Sequence, residues 1–314
     1  MSFFILSLNG GGIRGVFQAR YLAEIAKELK TPLRENFDLI AGTSTGAIIA
    51  LGIALGVPEA AIVGMFEVHG PKIFPSSRAW WGNQLPSWLF RGPRYRQPPL
   101  REALESIFGT KRLRDCRPPV VIPATTLDKF ECRIFTTAPR CGFATSPDED
   151  LLAVDVALAS AAAPSFFPAA STGTQDPRSY VDGGVWANNP SLVAVRVAHE
   201  FLQIPFEQIR LISIGNGEVP DGVFGVNFNA TRRMQMLYPI LDMISATQME
   251  SADRVCGMLL KDERWTGARM LRVNVGLPRN IPLDDVDQAL KILPPRAVTQ
   301  ARNESDRFRS LLVR

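Results

Sequence analysis

The sequence predicts an α/β fold in which a mainly parallel central sheet is flanked by helices. Short apolar runs of strand length alternate with helix-periodic stretches, and two strand-to-helix junctions are rich in glycine. One of those junctions, Gly42-Thr43-Ser44-Thr45-Gly46, also carries a serine between two glycines. Strands alternating with helices are the pattern of crossover units, which bring the carboxyl ends of parallel strands to one sheet edge. With 314 residues, 46% of them hydrophobic, the chain can bury about three quarters of its unfolded surface in one large domain.

The first unit is a strand over Phe3 to Leu8, a glycine loop over Asn9 to Gly15 and a helix from Val16 to Leu29. On that helix Leu22, Ile25, Ala26 and Leu29 share one face, while Arg20, Glu24, Lys27 and Glu28 fall opposite. A strand over Phe37 to Ala41 leads into the serine turn and a second helix beginning near Ala47. Residues 39–58 carry no charge and are long enough to span a bilayer. The polar turn 42–46 in mid-span would leave backbone unpaired in lipid, so burial inside the protein is the expected reading.

A third helix follows Pro58 and stops near Gly70. Residues 70–99 then hold six prolines, Trp80, Trp81 and Trp88, and the basic residues Arg78, Arg91, Arg94 and Arg96, with Arg101 just beyond. Proline at that density forbids long regular elements, and the segment reads as a cap or lid. Its tryptophans and arginines suit a membrane interface with anionic headgroups as well as a lid packed on its own protein. A helix over Leu100 to Phe108, strands over Val120 to Thr125 and Arg133 to Thr137, a helix over Leu151 to Ala163 and a strand over Ser179 to Asp182 bring the chain back to the sheet. Asn189-Pro190 supplies an N-cap and first-turn proline for a helix to Gln203, and Arg210 to Ile214 is a further strand.

Charge and cysteine content exclude several classes. A net charge of +4 without a dense basic stripe argues against a nucleic acid polymer as partner. Cys116, Cys132, Cys141 and Cys256 form no C-x-x-C pair, and with His69 and His199 the only histidines no zinc-ligand spacing can be assembled. The thiols read as reduced in a cytoplasmic protein, and the N-terminus, lacking a basic region before its apolar run, reads as a strand and not an export signal.

The serine turn is the center of the candidate chemistry. Gly42 and Gly46 let the backbone bend sharply enough to expose the Ser44 hydroxyl at the sheet edge, where the following helix N-terminus favours developing negative charge. Gly10-Gly11-Gly12-Ile13-Arg14-Gly15 also fits G-x-G-x-x-G, so a dinucleotide-binding module is one reading. That site wants an acid at the end of the next strand, where this chain has Ala41-Gly42-Thr43-Ser44. An oxyanion hole of glycine amides beside Ser44 is the better reading, with a plain tight turn as the bland one.

A serine nucleophile needs a base. His199 falls on the polar edge of its helix and His69 at a helix end, so both read as structural or solvated. Asp182 ends a strand before Gly183 and Gly184, where its carboxylate would reach the same edge as Ser44, and burial can raise its basicity. The alternative is a turn-forming Asp-Gly. Asp155 is a weaker candidate within a helical run.

Together, residues 10–15, residues 42–46, Ala159-Ser160-Ala161-Ala162-Ala163-Pro164 and the run from Asp182 to Pro190 resemble the patatin-like phospholipases in order and separation. The resemblance covers roughly residues 1–217. It implies a three-layer patatin-like fold and a Ser-Asp dyad without histidine, with Ser44 as nucleophile and Asp182 as general base. It further implies an oxyanion hole at Gly10, Gly11 and Gly12, with Gly11 and Gly12 donating and Arg14 bracing the loop, and no cofactor or metal. Asn9 stands where many relatives have aspartate. The expected substrate is the acyl ester of membrane glycerophospholipids, met by a cytoplasmic protein peripheral to the inner face of the membrane. A catalytically silent interaction protein is the remaining alternative.

The compact form is also similar to antiviral effector phospholipases switched on by cyclic oligonucleotides, which implies such an activator and a homo-oligomer. In that reading residues 218–314 form a C-terminal helical extension on the same domain. It has an apolar run from Met234 to Ile244 and a mixed-charge run from Arg296 to Leu312. The plain reading is that these helices complete the core; the sharper one is a regulatory seat in which Arg232, Arg233, Arg254 and Arg269 hold the phosphates of a small anionic ligand.

Overall fold

The computed structural model describes residues 2–75, 92–140, 145–173, 178–218, 237–264 and 268–313, with backbone alone for 237–242. Strand β1 (Phe3–Leu8) lies in the middle of the sheet, parallel to both β2 (Leu39–Gly42) and β7 (Ile209–Ile214). The parallel set is extended by β3 (Val120–Thr126) beside β2 and β8 (Met270–Val273) beside β7. Three short strands, β4 (Cys132–Thr136), β5 (Ala170–Ser171) and β6 (Ser179–Asp182), join antiparallel at the β3 side. The order is β5-β6-β3-β2-β1-β7-β8, with β4 also on β3.

Why β1 reads as an apolar run broken only by Ser7 follows from its two covered faces. Phe4, Leu6 and Leu8 point into one core, shared with α1 (Val16–Glu28), α2 (Thr45–Ala54), α3 (Glu59–Glu67), α5 (Pro98–Phe108), α6 (Ala153–Ala161) and α10 (Val286–Leu311). Ile5 points into the second core, under α8 (Ser191–Glu200) and α9 (Leu237–Leu259). The short helices α4 (Gly70–Ile73) and α7 (Gly184–Ala187) complete the helical set among the described residues. The architecture is the expected three layers.

The uncharged stretch 39–58 resolves into β2 and α2. Every residue of α2 is buried, wedged between the sheet and α5 and α6, so its all-round apolar surface is a core feature. Among the described residues no helix is long and apolar enough to cross a membrane.

The C-terminal part is less purely helical than expected, because β8 completes the sheet there. Helix α10 begins ten residues earlier than the charge pattern suggests, with Asp285 accepting from the Gln288 N–H as N-cap, and it passes through Pro294 and Pro295. Its buried stripe of Ala289, Leu293, Ala297, Ala301 and Phe308 lies along α1, and this packing outweighs the helix-breaking tendency of the prolines. Phe308 meets the rings of Tyr21 and Phe37 at 6.2 and 6.4 Å.

Candidate active site

Ser44 stands between β2 and α2 with φ 56° and ψ −122°, a left-handed conformation that a residue with a side chain adopts only where the surroundings force it. The two glycines of the turn have steric reasons. A Cβ at Gly42 would stand 2.1 Å from the Gly46 carbonyl oxygen, and one at Gly46 would stand 2.3 Å from that of Leu8. Thr43 is tied down by its hydroxyl, which donates to the Ala187 carbonyl at 2.6 Å. Ser160, in the sequence only one residue of the alanine-rich motif, holds the elbow. Its hydroxyl accepts the Ser44 N–H at 3.0 Å and donates to the Pro123 carbonyl at 2.7 Å.

Asp182 reaches Ser44 by a route that strand patterns do not reveal. Strand β6 is antiparallel to β3, so a strand end there would ordinarily lie at the wrong sheet edge. At Val121 strand β3 has β2 on one flank and β4 on the other, and at Ala124 it has β4 and β6. Strand β6 therefore occupies the flank of β2, beyond the end of β2, and runs back toward the serine turn. Asp182 pairs with Ala124 at its tip. Gly183 is needed at the next position, since a Cβ there would meet the Pro123 carbonyl oxygen at 2.3 Å. The Gly183 N–H donates to the Ser160 carbonyl at 3.3 Å, so Ser160 grips the acid turn as well as the nucleophile turn.

The Asp182 carboxylate is 6% exposed, accepts the Gly184 N–H at 2.6 Å and is near enough to the Ser44 hydroxyl to feel its dipole. Burial pushes its pKa up to about 6, and these two donors only partly oppose that rise. The group is ionised at neutral pH and more basic than an ordinary carboxylate.

The glycine loop is placed by its carbonyl partners. Asn9 N–H donates to Ile214 O at 3.1 Å, Gly10 N–H to Asn188 O at 2.8 Å and Ile13 N–H to Leu283 O at 2.8 Å. The Gly10 amide is thereby occupied, so Gly10 belongs to the loop without being one of its free donors. Its lack of a side chain matters instead, because a Cβ would stand 2.3 Å from Asn188 Oδ1 and 3.2 Å from Ser44 Cβ. The amides of Gly11 and Gly12 donate to no acceptor among the described residues. Arg14 Nε reaches back to the Gly11 carbonyl at 3.4 Å, in keeping with a bracing role. Leu283 crowds the loop at the start of α1, where a Cβ on Gly12 would lie 2.2 Å from its carbonyl oxygen.

Other candidates fall away. His199 stacks on Phe206 with ring centers 4.0 Å apart and Nδ1 3.0 Å from the Ile204 carbonyl, and His69 lies between α3 and α4. Neither lines the Ser44 cleft. Asp155 is paired with Arg101 at 2.8 Å. Of the expected phosphate ligands, Arg254 pairs with Glu250 on its own helix and Arg269 donates to the Leu260 carbonyl, while Arg232 and Arg233 lie outside the described residues. Arg78, Trp80, Trp81, Trp88 and Arg91 of the expected lid also lie outside them.

Ser44 and Asp182 open on a cleft of about 1010 Å³, at the upper end of the range for small-molecule sites. Its apolar wall includes Ile48, Met65, Phe66, Ile73, Phe74 and Phe167. Its polar wall follows the carboxyl ends of β1, β7 and β8, with Asn9, Asn216, Glu218 and Asn274. The site can take a long apolar group beside a polar one.

Ser44 on its strand-to-helix elbow, with buried Asp182 and the glycine loop lining the same cleft, marks an α/β protein with a candidate nucleophile site. The chain belongs to the patatin-like phospholipase family, whose model matches residues 6–195. It is 34% identical to a cGAMP-activated phospholipase of Pseudomonas aeruginosa over 68% of this chain and 62% of that protein. It is 33% identical to patatin-like protein 1 of Arabidopsis thaliana over 68% of this chain and 58% of that one. The chain thus aligns with about three fifths of the length of these relatives. The crystal structure of VipD from Legionella pneumophila shares the fold, with a TM-score of 0.50 at 14% identity over 99% of this chain and 66% of that one.

Proposed function

We propose that this protein is a serine acyl hydrolase of phospholipase A type that cleaves acyl esters of membrane glycerophospholipids. The observation that carries the reading is the buried Asp182, raised in basicity, sharing one cleft with Ser44 and with no histidine lining that cleft. Asp182 takes the Ser44 proton as Ser44 Oγ attacks the ester carbonyl. The oxyanion accepts the Gly11 and Gly12 N–H groups, and Arg14 keeps the loop in place. As the tetrahedral intermediate collapses, the C–O bond to the lysolipid breaks and Asp182 returns the proton to that oxygen. Water, deprotonated by Asp182, then attacks the acyl carbonyl; the C–O bond to Ser44 breaks, Asp182 returns the proton to Ser44 Oγ and the fatty acid leaves.

The similarity to the cGAMP-activated phospholipase of Pseudomonas aeruginosa supports a further part of the reading, activation by a cyclic oligonucleotide. The protein acts peripherally at the inner face of the membrane, and its active form is a homo-oligomer.

The test is incubation of purified protein with mixed phospholipid vesicles, with and without cGAMP, followed by mass analysis of the lipids and of the protein's size in solution. Fatty acid and lysolipid should appear in equal amounts with wild type and be absent with Ser44→Ala. Intact lipid under every condition would overturn the hydrolase reading, and full activity without a nucleotide, with no change of size, would remove the activator. Because Asp182 must be ionised, kcat/KM on a soluble ester should rise with pH and level off above about 6. A limb lying near pH 7 and abolished by His199→Ala would point to a conventional triad.

A further inference from the structure

Residues 280–285 lie beyond the part of the chain matched by the family model, yet they touch the glycine loop directly. The Leu283 carbonyl accepts the Ile13 N–H at 2.8 Å, immediately after the two glycines whose amides are available. With the Arg14 N–H on the Gly11 carbonyl and Asn216 Nδ2 on that of Gly10, this bond fixes how the Gly11-Gly12-Ile13 backbone is turned. A carbonyl in a connecting segment is a sound support only if the segment itself is held.

Leu283 is held through the two residues that follow it. Asp285 caps α10, whose buried stripe lies along α1, the helix that the glycine loop leads into. Beside it, Asp284 Oδ2 accepts the Tyr95 hydroxyl at 2.7 Å and lies 2.6 Å from Arg94 Nη1. Tyr95 is in turn fixed by its backbone, with its N–H on Phe166 O at 2.7 Å, and by ring contacts to Phe74 and Phe167 at 5.2 and 5.9 Å. The Asp284 side chain is 9% exposed and that of Arg94 44%, so the buried Tyr95 bond is the firmer part and the arginine pair is partly screened by solvent.

We infer that Asp284 is a positioning residue for the oxyanion hole: anchored by Tyr95 and Arg94, it fixes the Leu283 carbonyl that orients the Gly11 and Gly12 amides. The inference rests on the hydrolase reading above and gives a catalytic purpose to sequence beyond residue 217. It requires that loss of the anchor impair the chemical step and leave binding of a small ester alone, since oxyanion donors act on charge that appears only in the transition state.

The experiment uses the full chain with Asp284→Ala, Asp284→Asn and Tyr95→Phe, a short-chain p-nitrophenyl ester and a fluorophosphonate that labels the serine. Asp284→Ala should lower kcat by about 10- to 100-fold, as a donor misplaced by about 1 Å does, with KM within about twofold. The phosphonylation rate should fall by a similar factor, and the pH limb set by Asp182 should stay in place. Asp284→Asn, which keeps an acceptor for Tyr95, should recover most of the loss. Asp284→Ala combined with Gly12→Ala should be scarcely worse than Gly12→Ala alone, because both act through one loop. If Asp284→Ala does not fold, Tyr95→Phe keeps the arginine pair and reports the same kcat effect at a smaller size. Wild-type kcat in Asp284→Ala and Tyr95→Phe, or a raised KM at unchanged kcat, would overturn the inference. Wild-type protein that neither turns over the ester nor takes the phosphonate would instead overturn the hydrolase reading.

Discussion

Asp182 and Asp253 are both buried aspartates lining one cleft, and the groups facing them differ in one respect. Asp182 meets neutral donors, the Ser44 hydroxyl and the Gly184 amide. Asp253, on α9, has Arg272 Nε 3.0 Å from Oδ2 and accepts Asn189 Nδ2 at 2.7 Å and the Ser213 hydroxyl at 3.3 Å through Oδ1. Burial raises the pKa of both, with Arg272 opposing the rise at Asp253. The lesson is that burial makes a carboxylate a stronger base, but only the absence of a neighbouring cation leaves that basicity free for a reacting proton. Asp253 instead joins α9 to the Asn189-Pro190 turn and to the β7 edge. It holds the cleft together without taking part in the chemistry.

The sharpest way to break this comparison is to neutralise each acid in turn. Asp182→Asn should reduce kcat/KM by about 10,000-fold, because it removes the base from a unit in which neither partner works alone. Asp253→Asn should lower it less than about tenfold in the fraction that folds. Equal losses measured on the same soluble ester would put Asp253 inside the chemistry and end the distinction.

Stability sharpens the comparison from the other side. Arg272 and Asp253 have side chains only 8% and 5% exposed, so Arg272→Met alone leaves an unpaired buried carboxylate and should cost about 3 to 5 kcal/mol. Removing both charges with Asp253→Leu and Arg272→Met together should cost less than the single change, as read by urea unfolding. A double variant weaker than Arg272→Met would mean that the pair is net stabilising.

The smallest effect concerns the strain of keeping Asp182 ionised. Its folded pKa lies near 6, above the ordinary value of 3.8, so the native state binds the proton more tightly than the unfolded chain does. The stability this lends at low pH is lost as pH rises from about 4 through 6. Asp182→Asn escapes that loss and should be more stable than wild type by about 2 kcal/mol at pH 7.5, with the advantage fading toward pH 4. A stability difference independent of pH would remove the raised pKa from the account.

Much of the site was legible because its parts are local. Ser44 announced itself through Gly42 and Gly46, whose missing side chains the elbow requires. Asp182 was found at a strand end before a glycine, and the lack of a usable histidine pointed to a carboxylate base. What escaped were contacts between distant segments. Ser160 bonds both the Ser44 and Gly183 N–H groups, yet in an alanine-rich helix it gives no local signal. Gly10 resembles its neighbours in the loop, and only the Asn188 carbonyl marks its amide as occupied.

The α/β class, the elbow and the glycine loop follow from residue identity, because hydrophobic period and the steric freedom of glycine act over a few neighbouring residues. The placing of β6 on the flank of β2, the joining of β8 to the sheet and the support of the loop by Leu283 do not. Each depends on which strand edges and carbonyls remain unpaired once the rest of the chain has packed. Backbone groups carry no mark in the sequence of the partner they will find, so tertiary packing assigned them.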